Sequence, residues 1–212
     1  MTLQDIADAI APHGLMVMGH DGARVLIGTD AAWWSVFTKS PEYRDQARDP
    51  VDRWSKRIIG QLAKQIGTEA HFPSDGPPYA PFIAWALGTG RFWQSPTGMM
   101  IHDTAGLMIS IRGALTLTRP LPDTTPDTAP ETTPDVSPCE TCTGRPCVSV
   151  CPVNALNAET PYDVPACKTY LDTTAGTDCM SKGCKVRRAC PVSQRFARPE
   201  AQSAFHMKAF RG

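Results

Sequence analysis

Hydrophobic and polar positions along the first two thirds of this chain follow two rhythms. From Val51, apolar residues recur at Trp54, Ile58, Leu62 and Ile66, the spacing of one helical face. Asp49 is expected as the cap, Pro50 at the first helical position and Gly67 as the terminator. Thr2, with Asp5 three positions later, predicts a capping box for a shorter helix whose apolar face is Ile6, Ala9 and Ile10. Between these helices, residues 14–19 (GLMVMG) and 24–28 (RVLIG) alternate as short strands around the turn HDGA. Another helix is expected over 79–88 (YAPFIAWALG), followed by β-rich stretches at 98–103 and 107–118. The second of these, LMISIRGALTLT, is apolar enough for an interior strand. The pattern predicts a mixed α/β (α+β) front domain over residues 1–119.

The rhythm stops at residues 122–138, PDTTPDTAPETTPDVSP, where a proline recurs every four residues. Proline fixes φ and removes an amide donor, so neither a helix nor an interior strand is expected, and 120–138 reads as a linker. The remaining residues, 139–212, differ in composition. All eight cysteines lie between Cys139 and Cys190, and the front domain has none.

Lys+Arg and Asp+Glu both total 21, giving a formal net charge of zero. Global charge therefore argues for neither a nucleic-acid nor a membrane partner. MTLQDIADAI carries no basic region followed by an apolar run, and uninterrupted apolar stretches fall well short of the roughly 18 residues of a membrane span. A soluble, cytoplasmic protein is expected, and in a reducing compartment clustered cysteines favour metal ligation over disulfides.

The cysteine spacing is C-x2-C-x4-C-x3-C-P from Cys139 to Pro152, then a solitary Cys167, then C-x4-C-x5-C-P from Cys179 to Pro191. Bacterial two-cluster ferredoxins use C-x2-C-x2-C-x3-C-P, with the fourth cysteine ligating the other cluster. By that pairing Cys139, Cys142, Cys147 and Cys190 hold one 4Fe–4S cluster, and Cys151, Cys167, Cys179 and Cys184 the other. Thiolates suit soft iron–sulfur chemistry. Two structural zinc sites and four disulfides are the alternatives. Zinc sites usually show paired C-x2-C knuckles, which the solitary Cys167 and the repeated Cys-Pro ending fit poorly. The basic run SKGCKVRRACPVSQRFAR either docks an acidic redox partner or an anionic cofactor, or offsets cluster charge.

The stretch PFIAWALGTGRFWQSPTGMMIHDTAGLMISIRGALTL, followed by the eight-cysteine region with ACKTYL around Cys167, resembles the epoxyqueuosine reductases and, more distantly, the reductive dehalogenases. The resemblance covers about Asp75 to Phe196. RDPVDRWSKRIIGQLAKQI and GMMIHDTAGLMISIRGALTL resemble the CblC cobalamin-processing family. These resemblances imply a nitroreductase-like or CblC-like sheet-and-helix domain that binds a corrinoid, followed by a small bacterial-ferredoxin-like domain with two 4Fe–4S clusters. They also imply roles for residues: Asp75 as an acid in a D-x-x-P stretch, and Ile111, Arg112 and Gly113 as the I-R-G of a corrinoid-pocket strand. The G-K-N of the reductases is replaced by Gln94-Ser95, and their tRNA-binding helical repeats are absent.

Several residues have plainer readings. Asp75, between Ser74 and Gly76-Pro77-Pro78, suits an ordinary turn. His71 and His102 are more readily satisfied polar groups than ligands. Trp54 and Trp85 suit the core, whereas Trp33 and Trp34, being adjacent, cannot both face one core. The expected function is transfer of single electrons through two clusters, supplied by a redox partner protein, to a group in the front domain. The resemblance points to base-off cobalamin as that group. The alternative is a ferredoxin-type carrier whose front domain docks a partner.

Overall fold

A computed structural model describes residues 2–121 and 136–212. Most of the proline array therefore lies outside the described residues. The chain divides into two units, Met1–Phe92 with Ser110–Asp135, and Trp93–Ile109 with Val136–Gly212.

The first unit is built on four antiparallel strands, β1 Leu15–Asp21, β2 Arg24–Thr29, β3 Glu69–His71 and β6 Ile111–Thr116, in the sheet order β1-β2-β6-β3. The expected hairpin forms, with Asp21 opposite Arg24 and Gly22 at φ 56° in the turn. β6 is interior, as its apolar run predicts. Gly28 lies where β2 slips register against β6, and a Cβ there would strike the Met18 side chain and the Ser110 carbonyl.

Helix α1, Leu3–Ile10, begins with the predicted capping box: Thr2 Oγ1 accepts from Asp5 N at 3.1 Å and Asp5 Oδ2 accepts from Thr2 N at 2.7 Å. Two short helices follow β2: α2, Trp33–Phe37, and α3, Pro41–Arg44. The principal helix, α4, spans Pro50–Ile66 and buries Trp54, Ile58, Ile59, Leu62 and Ala63; Gly67 ends it in the left-handed conformation. Asp49 differs from expectation. Its φ of 52° departs from the extended backbone a capping side chain needs, and its carboxylate makes no cap bond. Arg53 secures this end instead, pairing with Asp45 at 2.7 Å and donating from Nε to the Arg48 carbonyl at 3.0 Å.

Trp33, Phe37 and Trp54 form a buried aromatic centre, with Trp33 stacked on Phe37 at 4.4 Å and edge-on to Trp54 at 5.8 Å. Trp34 is half-buried and packs edge-on to Tyr43 at 5.7 Å, so both members of the tryptophan pair belong to this cluster. Helix α5, Phe82–Gly88, begins three residues later than expected and lies against β1 and β2. Trp85 is half-buried there, not core, and forms a platform under the Arg24 guanidinium, 4.0 Å from the ring centre.

The second unit takes in a segment that the sequence places in the front domain. Strands β4, Phe92–Gln94, and β5, Met100–His102, pair as a hairpin, and Trp93–Ile109 cluster with the cysteine region. The expected strand over 107–118 is correspondingly shorter. Its first residues are diverted because Leu107 N donates to Ser193 Oγ at 2.8 Å, Leu107 O accepts from Arg187 Nη1 at 2.5 Å, and Met108 O accepts from Arg198. Gly106, at φ 58°, lies so close to Ser193 that any Cβ would collide with its backbone. Beyond residue 136 come α6 Val164–Leu171, α7 Thr177–Lys182, α8 Lys185–Ala189, α9 Pro191–Phe196 and α10 Glu200–Arg211. The core joins Ile101 and Leu107 to Cys147, Leu156, Val186, Cys190 and Val192. Among the described residues, no helix is long and apolar enough to cross a membrane.

Candidate metal centre

The eight cysteines occupy breaks and ends of short elements. Cys139 lies at the start of the region, its N–H donating to Ser137 Oγ at 3.2 Å. Cys147 is buried in a single 3-10 turn, Pro146–Val148, that packs against α8. Cys167 and Cys179 lie within α6 and α7, which pack together. Cys184 separates α7 from α8 and Cys190 separates α8 from α9. The break at Cys190 follows from Pro191, which opens α9 and holds the preceding residue extended at φ −66°, ψ 123°.

Four of these thiols, Cys139, Cys147, Cys167 and Cys179, are shifted by their surroundings. Burial pushes the Cys147 thiol up, and the charges of Cys139, Cys190 and Cys142 push it further. Burial likewise raises Cys139, a hydrogen bond from Ser137 opposes the shift, and Cys190 and Cys142 add to it. Burial raises Cys167 against a hydrogen bond from Tyr162, with Cys184 and Cys151 contributing. Cys179 is raised by burial, opposed by the Lys185 backbone N–H, and raised again by Cys184. Buried thiols raised by their neighbours are poor thiolates alone, and a cationic metal core held there would supply the missing favourable charge.

All eight cysteines are free, so no disulfide links them. Among the described residues, no three His, Cys, Asp or Glu side chains converge as ligands of a single ion.

Four cations of the basic run are tied to other groups of the second unit. Arg188 donates to the Gly183 carbonyl at 3.0 Å and pairs with Asp178, Lys185 lies 3.7 Å from the same carboxylate, and Arg187 and Arg198 hold the 107–108 carbonyls. Tyr162, Ser137, Ser193 and Gln202 are not marked by any motif in the sequence. Ser137 and Tyr162 meet Cys139 and Cys167 through nearby chain, and Ser193 reaches Leu107 across 86 residues.

The front-domain candidates do not assemble into one constellation. Asp75 lies in the exposed stretch 73–79, about half accessible, and its Oδ1 pairs with Lys56 Nζ at 2.5 Å. Gly113 is buried beneath α4, where a Cβ would lie 3.0 Å from Ile59 Cδ1. Ile111 and Arg112 are partly buried on β6. Burial lowers the Arg112 guanidinium from its ordinary value, Asp52 opposes this, and Arg112 Nε meets no hydrogen-bond partner among the described residues. His71 Nε2 lies 3.0 Å from Thr116 Oγ1. His102, in the second unit, is fully buried, and its Nδ1 accepts from Thr104 N and Ala105 N, each at 3.1 Å. These two backbone donors give His102 a structural role in closing the β5 turn. No protein-family model and no curated protein matches this chain.

Proposed function

We propose that the chain is an iron–sulfur redox protein. Cys139, Cys142, Cys147 and Cys190 hold one 4Fe–4S cluster, and Cys151, Cys167, Cys179 and Cys184 hold the other. The observation that carries this reading is eight free cysteines, Cys147, Cys179 and Cys190 of them buried, in which Cys147 neighbours Cys139, Cys142 and Cys190 while Cys167 neighbours Cys151 and Cys184, residues from distant parts of the sequence. Bound there, the clusters supply one-electron transfer between a reduced protein donor and a group held by the first unit. The chain contributes the burial that excludes water, the Ser137 and Tyr162 contacts that orient thiols, and the arginines that fix the surrounding loops.

For the group held by the first unit, a base-off corrinoid is the second part of the proposal. It is supported by Arg112, whose buried Nε is an unused donor suited to an amide or carboxylate on a ligand. Asp75 and Gly113 are accounted for without a ligand, the one by its ion pair and the other by packing against α4.

Anaerobic reconstitution tests the first part. About eight iron and eight sulfide per chain are expected, and stoichiometric zinc without sulfide would overturn the reading. Titrating the reconstituted protein with cobalamin tests the second. A base-off spectrum supports the corrinoid, and an unchanged spectrum at saturating cobalamin leaves a two-cluster carrier whose first unit serves another partner.

A further inference from the structure

Helix α10 buries the wrong kind of residue. Its enclosed positions are Gln202 and Ser203, whereas its aromatic residues are only partly covered. Gln202 is completely inaccessible, and neither its Nε2 nor its Oε1 has a hydrogen-bond partner among the described residues. A buried carboxamide without partners is costly, and native proteins retain one only where something else answers it. Helix α10 packs along α7, which carries Cys179. Ser203 packs on Gly183, the residue before Cys184, so closely that a Cβ at Gly183 would lie 2.7 Å from the Ser203 Cβ. Gln202 therefore belongs to the helix that lies against the elements carrying Cys179 and Cys184. Small residues at 183 and 203 permit that approach.

We infer that Gln202 donates a side-chain N–H to a sulfur of the cluster held by Cys151, Cys167, Cys179 and Cys184, and thereby raises its reduction potential. The inference rests on the two-cluster reading proposed for the chain. A hydrogen bond to sulfur stabilises the more negative, reduced form, so a donor on one cluster separates its potential from that of the other. The glutamine gives the electron a preferred resting place.

The test uses the reconstituted full-length protein. Gln202→Leu is expected to keep about eight iron per chain while the reduced-to-oxidised ratio of one cluster, at fixed ambient potential, falls about tenfold, or about 59 mV for a one-electron couple. The other cluster should not move, and Cys179→Ser should alter the same electron paramagnetic resonance signal that Gln202→Leu shifts. Unchanged potentials with iron intact would overturn the inference and leave a buried water as the partner of the amide. Should Gln202→Leu fail to fold, wild-type protein labelled with 15N-glutamine decides: a side-chain nitrogen coupling in the reduced cluster's pulsed resonance spectrum supports the contact, and its absence rejects it. Wild-type protein that takes up no iron would reject the two-cluster reading itself, a result distinct from a Gln202 variant that leaves both potentials unmoved.

Discussion

At the scale of single residues, the partition of the cysteines makes a sharp prediction. Cys147 lies in the field of Cys190, although 43 residues separate them in sequence. If they share a cluster, replacing either with alanine removes about half the iron, and replacing both removes no more. The pair Cys147→Ala with Cys179→Ala should abolish both clusters. Iron content per folded chain reads all these variants, and additive loss in the first pair would assign the two residues to different clusters. The spacing alone is enough to suggest this partition. Gln202 was not legible, because a glutamine in the first turn of a helix is unremarkable until its neighbours are known.

Glu42 supplies a pH-dependent case in the first unit. Its side chain is 10% exposed and takes a bidentate bond from Arg57, at 2.5 and 2.9 Å. That bond is the main reason its carboxyl is held below the ordinary value of 4.5. A depressed carboxyl stabilises the fold above its unfolded value, and the contribution is lost as pH falls through the folded one. Glu42→Gln should therefore cost about 1–2 kcal/mol at neutral pH, with Arg57 partly solvated. The gap to wild type should narrow below pH 4.5. Tryptophan fluorescence in urea reports mainly this unit, which contains Trp33, Trp34, Trp54 and Trp85, once Trp93 of the second unit is replaced by phenylalanine. A gap that persists unchanged through acid pH would assign the loss to packing.

Among the elements, α4 and the β1–β2 hairpin were the most readable, because one amphipathic face and one short turn specify each locally. The segment 93–109 was the least readable. LMIS at 107–110 continues the apolar run into β6, and nothing in its composition reveals that Ser193, Arg187 and Arg198 take up the backbone groups of Leu107 and Met108. Periodicity measures what a strand could bury, not which unit claims it. Asp49 shows a related limit, since the residue type fits a cap while its left-handed backbone prevents one. The tightest point of the segment is Gly106. Gly106→Ala combines a positive φ with a clash against the Ser193 backbone, and should destabilise the second unit by about 2–4 kcal/mol. Loss of cluster absorbance on heating should then come at a lower temperature, while the tryptophan transition of the first unit moves little. Gly98→Ala has an open site at a similarly positive φ of 76° and isolates the backbone cost, so it should be milder. Equal effects would remove the packing argument.

The whole molecule is interleaved, not strung end to end. The first unit takes Met1–Phe92, the chain then supplies Trp93–Ile109 to the second, and it returns at Ser110 to complete the first with β6. The cysteine region begins only after the proline array. Ile101 and Leu107, which precede that array, are nevertheless part of the same core as Cys147 and Cys190, which come after it. Severing the chain within residues 122–135 therefore leaves the amino-terminal fragment carrying part of the second unit's core. Burial of side chains of this size is worth roughly 1.5–3 kcal/mol each, and the Leu107 and Met108 backbone bonds add to it. After cleavage at a protease site placed within 122–135, the two fragments should co-elute under native conditions and retain iron. A fragment of residues 136–212 made alone, lacking the hairpin, should retain none. Introducing Ile101→Asp and Leu107→Asp before cleavage should release the cysteine fragment, because each places a charge where the core offers no partner. Clean separation of the unsubstituted fragments with their clusters intact would show that the cysteine region stands without 93–109, and would restore the boundary suggested by the proline array.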